Sequence, residues 1–579
     1  MKPDSDSSLT LLDRFIHLIE SVPGSDRLLL RLAVFAIFAT GLWLVFAFNS
    51  QYSEQTPTSG GTIVEGVVGT PRFVNPALAI TRADQDVTAL VYSGLMKINA
   101  DGSLGNDIAE SVLVSEDGLT YSIVFRRDIS FHDGTPLTAR DFVYTIQLIQ
   151  NPDLKSPLRG NWTDVTLVEV SEYELKVSLE EAYAPFIENF TIGIIPAHLW
   201  SSLPIEQLPF SQLNTEPIGS GPFAVTDAGR DASGLINHYT LSAYRENVAK
   251  PKINTVELKF YPNEESLILA VAGNEIDATA YVPPGRIQEV LGDNFRLLEE
   301  ALPRTFGIFF NQNKTAVLRD AAARKALTAA LDRDVLIEKA FYGYGVPITG
   351  PTVFTQAELE STDGINSTAS SSPAELATKI LIDGGWLQNN LGLWEKQIDD
   401  SAVTLSLTLR TSNTPLFNAL SGLIAQQWEA IGVEITTEQF EQAGLVQSVI
   451  RPRDFQALLF GHDIGRSYDL YPVWHSSQQD DPGLNIAQYA NVSVDALLET
   501  ARSDQSEASR LEALREASLI IVEEQPAIFI AQPTVTYIVS KDITVADMEN
   551  LGRPADRFSN IADWHTESDS LWPFFRSDM

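Results

Sequence analysis

Residues 131–149 read FHDGTPLTARDFVYTIQLI, and the order of residue types there sets a local fold. Asp133-Gly134-Thr135 is turn chemistry, because Gly accepts a positive φ and a short polar side chain can bond its own backbone. Pro136 fits the same loop. Thr138 stands three residues before Asp141, the spacing of a capping box, with Asp in place of the commoner Glu. Phe142, Ile146 and Ile149 then recur on one helical face, with Val143 beside them. Residues 119–129, LTYSIVFRRDI, alternate as a strand does. The stretch therefore predicts strand, turn and capped helix. A catalytic or metal role for the neighbours His132 and Asp133 is the weaker reading. Consecutive side chains often diverge, and a base needs its target within about 3 Å.

Outward from this stretch the same two patterns repeat. GTIVEGVVG (61–69), YELKVSLEE (173–181), NTVELKFYP (254–262) and VTLSLTLRT (403–411) read as strands. Residues 139–150, 321–341, 415–432 and 495–524 read as helices. Residues 406–440 run strand, helix, strand, with the helix stopping at Gly432. That is a βαβ unit and requires parallel pairing in the C-terminal half. The irregular alternation predicts an α/β protein, and no fixed period suggests a repeat array. Residues 358–373, rich in Ser, Thr and Ala, are expected to form a surface loop.

The chain has 579 residues, enough for three or four domains or lobes at about 150 residues each. Its net charge of -36, from 76 acidic and 40 basic residues, opposes nucleic-acid binding and broad docking on anionic lipid. It has no cysteine, which excludes disulfides, thiol catalysis, zinc-thiolate sites and lipid attachment through an N-terminal cysteine. No G-x-S-x-G elbow, H-E-x-x-H, P-loop or helix-opening G-x-G-x-x-G occurs, so no enzymatic activity is expected. The seven histidines are scattered. Only His462 beside Asp463 raises a metal question, and two residues do not make a site. No metal or cofactor is expected.

From Leu28 to Phe48 the chain is apolar except at Arg31, Thr40 and Gly41. These 21 residues would span about 30 Å as a helix, the thickness of a hydrocarbon core. Lys2, Arg14, Arg27 and Arg31 precede the apolar run or open it, and no Lys or Arg follows until Arg72. The length of the run and the lack of a small-x-small site between Phe48 and Gly60 favour an uncleaved single-pass anchor over a cleaved signal. The charge bias predicts a cytoplasmic N-terminus with the rest of the chain extracytoplasmic. Residues 1–27 would be a cytoplasmic segment, with Leu12, Phe15, Ile16, Ile19 and Val22 on one face of a short interfacial helix. Residues 49–60 would be a flexible tether.

DGLTYSIVFRRDISFHDGTPLTARDFVYT (117–145) closely resembles a signature of the family 5 bacterial extracellular solute-binding proteins, the oligopeptide- and dipeptide-binding components of ABC importers. The resemblance continues in order through TPRFVNPALA (70–79), LVYSGLMKINADGSLGNDIAES (90–111), GSGPFAV (219–225), VELKFYPNEESLILAVAGNEIDA (256–278) and the segment 306–351. It ends with NIAQYANVSVDALLETAR (485–502) and EEQPAIFIAQPTVTYIV (523–539).

The resemblance implies a two-lobed clamshell of the type II-like periplasmic binding proteins, with the extra subdomain of the peptide-binding members, preceded here by one transmembrane helix. Lobe one would hold residues 61–308, lobe two 309–529, and 530–579 would return to lobe one. It further implies peptides held through their backbone, delivery to importer permease subunits, and a monomer. A peptide-binding member places an aspartate in the loop resembling LLFGHDIGRSYDLYPVWHSS (458–477) to pair with the ligand amine. Asp463 and Asp469 are the candidates, with His462, Tyr468, Tyr471 and Trp474 around them; Ser467, Tyr468 and Leu470 depart from the family pattern. Asn75, Ser93, Leu95 and Met96 resemble cleft-facing positions of lobe one. Phe309 and Asn311 resemble the crossover. The same fold could instead take an oligosaccharide or a nickel chelate, or serve as a surface sensor without transport.

Overall fold

The computed structural model describes residues 23–52, 54–351, 372–566 and 568–571. The chain divides into two units, one comprising residues 1–59 and 567–579 and the other Gly60–Thr566.

In the smaller unit the helix Gly24–Tyr52 contains the whole apolar run. Leu28, Phe35, Ile37, Phe38, Trp43 and Phe46 on it are exposed. Among the described residues, no helix is long and apolar enough to cross a membrane. Residues expected to form a flexible tether instead continue the helix to Tyr52 and then form a strand, Glu54–Pro57. That strand pairs antiparallel with Ser568–Leu571. Backbone pairing with a segment more than 500 residues away leaves no trace in local composition. The interfacial helix expected before residue 23 lies outside the described residues, as does most of the loop expected at 358–373.

The larger unit is organised by one long strand, Ala527–Ser540. At its start it pairs with Arg304–Phe310 and Gly345–Pro347; further on it pairs with Phe295–Ala301 and Ala278–Thr279. The sheet continues from the first group through Ala457–Asp463, Ser406–Ser412 and Glu434–Phe440. From the second it continues through Gly60–Val68, Ile253–Tyr261, Ile236–Ala243 and Phe223–Arg230. Ser406–Ser412 and Glu434–Phe440 are parallel and joined by the helix Pro415–Ala430, the βαβ unit expected from the sequence.

Four cores line this path. Two draw on residues 63–302 and 535–564, and two on residues 306–531. Leu302 packs in one of the first pair and Phe306 in one of the second. On the long strand Ala531 and Val535 divide in the same way. One core, built from residues 77–208, has its own four-stranded antiparallel sheet of Ala109–Val114, Thr120–Phe125, Glu174–Leu179 and Val165–Ser171.

The helix Ala139–Gln150 packs into that core and buries Phe142, Ile146 and Ile149 beside Tyr121, Ile123 and Phe125. Its capping box is formed. The Asp141 carboxylate accepts from the Thr138 N–H at 2.9 Å and also takes the Ala197 N–H, so the cap ties the helix to a distant loop. Two long helical patterns are each broken. Asp332 caps Arg333–Ala340 and Ser506 caps Glu507–Glu524, because a side-chain oxygen that accepts from a backbone N–H three residues on favours a new start. The strand expected at 403–411 is split likewise, into Ser401–Thr404 and Ser406–Ser412 around buried Leu405.

Candidate functional site

His132 and Asp133 point apart. The Gly219 N–H donates to His132 Nδ1 at 3.3 Å, which leaves Nε2 to donate to the Gly221 carbonyl at 3.1 Å. Burial pushes the ring down to about 4, so it is neutral at pH 7. Asp133 instead meets His198 Nε2 at 2.7 Å. The ring thus braces the loop Gly219-Ser220-Gly221, which lies against the end of the helix Arg82–Val91. A Cβ at Gly219 would stand 2.1 Å from the Val91 carbonyl oxygen, and one at Gly221 would stand 2.5 Å from its carbon. Only glycine permits that approach.

The loop after the strand Ala457–Asp463 is built differently. Antiparallel register sets Arg304 opposite Asp463, and Arg304 Nη2 reaches Asp463 Oδ2 at 3.1 Å across a solvent-facing pair. Gly465, at φ +67°, turns the chain and gives its N–H to Asp463 Oδ1. Asp469 accepts the Tyr471 N–H at the start of the short helix Tyr471–Trp474. Its carboxylate is held by Arg502, with Nη2 at 2.6 Å and Nε at 3.1 Å, and receives the Tyr183 hydroxyl at 3.1 Å. The Arg502 guanidinium lies 4.0 Å from the Tyr471 ring centre and 5.0 Å from that of Tyr183. A charged hydrogen bond and two ring faces thereby join residue 183 to the 463–502 region.

The other residues expected at the site occupy structural positions. Asn75 is buried and turns its own loop by accepting the Ala77 N–H. Asn311 is buried and donates to the Arg453 carbonyl. Leu95 and Met96 are core residues, and Ser93 accepts from Asn247. Phe309, His462 and Trp474 come together. His462 stands edge-on to Phe309 at 4.9 Å, and Trp474 is 6.1 Å from Phe309. Burial pushes His462 down to about 4, and its Nε2 has no partner among the described residues. Tyr468 takes the left-handed conformation, φ +51°, and lines a small cavity with Arg466 and Glu300.

Two adjoining cavities, of about 430 and 1070 Å³, lie beside residues 157–193; the larger is faced by the 463–473 loop, and the smaller by Asp463, Arg466 and residues 76–98 and 552–556. They share Glu188, Asn189 and Asp463 in their linings. The larger lies at the upper end of small-molecule sites. Among the described residues its lining carries six carboxylates, Asp164, Glu180, Glu181, Glu188, Asp463 and Asp469, against the single cation Arg502. The lining of the smaller includes Arg466, which pairs with Asp556 at 2.6 Å. Burial pushes Glu188 up to about 7; Arg466 draws it down, while Asp556 and Asp469 push it further up. Tyr183, Glu188, Arg466 and Arg502 were not singled out from the sequence. The segment EEAYAPFIENF (180–190), with acids and aromatics around a proline, was the available signal. Arg502 is indistinguishable from any exposed helical arginine until its partner 33 residues away is known.

The sequence profile of the bacterial extracellular solute-binding proteins, family 5 middle region, matches residues 103–481. The chain belongs to that family. The oligopeptide-binding protein AppA of Bacillus subtilis is 26% identical over 515 residues, covering 87% of this chain and 92% of that protein. The solved structure of B. subtilis AppA with a nonapeptide has a TM-score of 0.63 at 24% identity, covering 88% of this chain and 99% of the other. NikZ of Campylobacter jejuni with Ni(L-His) has a TM-score of 0.65 at 23% identity, covering 87% and 99%. These similarities give the mixed α/β fold of the family, whose members are extracellular solute-binding proteins, and meet the expectation drawn from the 117–145 signature.

Proposed function

We propose that the chain is the substrate-binding component of an ABC importer and encloses peptides between two lobes for delivery to permease subunits. The observation that carries this is the cavity bounded by residues 157–189 on one side and the 463–473 loop on the other. A relative named for oligopeptides, aligned over most of both chains, supports the ligand class. Asp463, Asp469, Tyr471 and Ser467 would face the ligand on one lobe, with Tyr183 and Glu188 on the other. The lobes meet where the cores change, between Leu302 and Phe306 and between Ala531 and Val535. Two β-crossings there can act as a hinge, the common device for closure on ligand. Phe309, Asn311 and Trp474 would hold the second lobe rigid behind the cleft.

The helix Gly24–Tyr52 would hold the protein at the membrane through its exposed apolar side chains, with the binding unit extracytoplasmic. The protein would work as a monomer. Isothermal titration of the purified protein with a random peptide pool, an oligosaccharide pool and nickel–histidine tests the ligand class. Binding by the peptide pool alone is expected. Binding only by the sugars or the chelate assigns the cleft to that solute instead.

A further inference from the structure

Of the six carboxylates that line the larger cavity, five are compensated or solvated. Asp164, Glu180 and Glu181 are exposed to solvent. Asp463 carries Arg304, and Asp469 carries Arg502 and the Tyr183 hydroxyl. Glu188 differs from all of them. It is half-buried, lies in the lining of both cavities, and no hydrogen bond or ion pair reaches its carboxylate among the described residues. The nearby Arg466 is already engaged by Asp556 at 2.6 Å.

We infer that Glu188 is the specificity-determining anchor of the cleft and pairs with a cationic group of the ligand, the α-ammonium when the ligand is a peptide. This rests on the peptide reading of the same cavity. A desolvated carboxylate left without a donor is costly, and an ammonium arriving between the lobes supplies the missing charge and hydrogen bonds. The elevated position of Glu188, about 7, expresses the same cost. A bound cation favours its ionised form, so ligand binding would release a proton near neutral pH. The titratable and charged groups that face Glu188 are Arg466, Asp556, Asp469, Tyr183 and Tyr468. Because both aspartates of the 463–473 loop are already matched to arginines, the anchor comes from the opposite wall.

The test is titration of the full-length protein in detergent with trialanine and N-acetyl-trialanine, for wild type, Glu188→Gln and Glu188→Asp. Wild type is expected to prefer the free amine by about tenfold or more, the scale of one charged hydrogen bond. Its affinity for trialanine should rise between about pH 5.5 and 7.5, as the carboxyl ionises. Glu188→Gln should lose both the preference and the pH slope while keeping the wild-type circular dichroism, and Glu188→Asp should recover part of each. If wild type prefers the free amine and Glu188→Gln keeps that preference, this inference fails and the peptide reading stands. If wild type binds neither peptide, the peptide reading fails and takes this inference with it.

Discussion

Arg557→Leu probes how the C-terminal part of the chain is locked to the N-terminal part of the larger unit. The Arg557 side chain is fully buried. Its guanidinium grips Asp86 with two bonds, at 2.8 and 2.6 Å, and reaches Glu65 at 2.9 Å. Tyr281 donates to Asp86 and Tyr537 to Glu65, and the Phe558 ring lies 4.0 Å from the guanidinium carbon. Burial raises Glu65 above the usual carboxylate range even with Arg557 beside it. The fork on Asp86 takes the larger share of the positive charge. Without the arginine two carboxylates remain in the core, each with one tyrosine, and such a loss costs about 3–5 kcal/mol. If the roughly 500 residues of the larger unit melt together, that is a Tm decrease of about 3–5 °C.

The pH dependence has a definite sign. In the variant Glu65, already raised by burial, loses the arginine that draws it down. It is then compatible with folding while protonated at low pH, and this contribution is lost as pH rises through its raised value. Calorimetry of wild type and variant at about pH 5 and pH 8 should therefore find the larger deficit at the higher pH. A Tm within about 1 °C of wild type at pH 8, or a deficit equal at both pH values, would refute the reasoning.

Three further outcomes are expected. Tyr183→Phe keeps the ring over Arg502 but removes the hydroxyl from Asp469, a bond that bridges the two walls; it should weaken binding of the peptides the protein takes by about tenfold in titration calorimetry and lower Tm by no more than about 3 °C. His132→Gln preserves a donor and an acceptor for the 219–221 loop. Wild-type His132, held near 4 when folded and protonating near 6.5 when unfolded, makes stability fall as pH drops through that window, so the variant should show a shallower acid limb in thermal melts. Gly219→Ala drives a methyl group into the Val91 backbone and should lower soluble yield and Tm, whereas Gly422→Ala should cost little, since it lies in the helix Pro415–Ala430 and nothing lies within 4 Å of its Cβ position.

Local chemistry was legible where each residue's partner lies within a few positions. The Thr138–Asp141 cap, the Phe142, Ile146 and Ile149 face and the parallel pairing around 415–430 all follow from spacing alone. The family followed from an ordered set of motifs. The breaks at Asp332 and Ser506 were missed because a capping side chain competes with helix continuation only slightly, and apolar periodicity runs through both sites. The cleft was half legible. Asp463 and Asp469 stood out as acids in a recognisable loop, yet what their charges do depends on Arg304, 159 residues earlier, and Arg502, 33 residues later. Glu188 is one of 76 acidic residues, and only burial without a partner separates it from the rest. Arg557, fully buried with its charge, sits in a loop sequence with nothing to mark it.

The central claim, that ligand is enclosed between the 157–193 wall and the 463–473 loop, is tested most directly by hydrogen–deuterium exchange of the full-length protein with and without saturating peptide. Protection is expected in both segments together, with the strand Ala527–Ser540 unchanged except near residues 531–535. Protection confined to one wall, or appearing only elsewhere in the chain, would contradict the account.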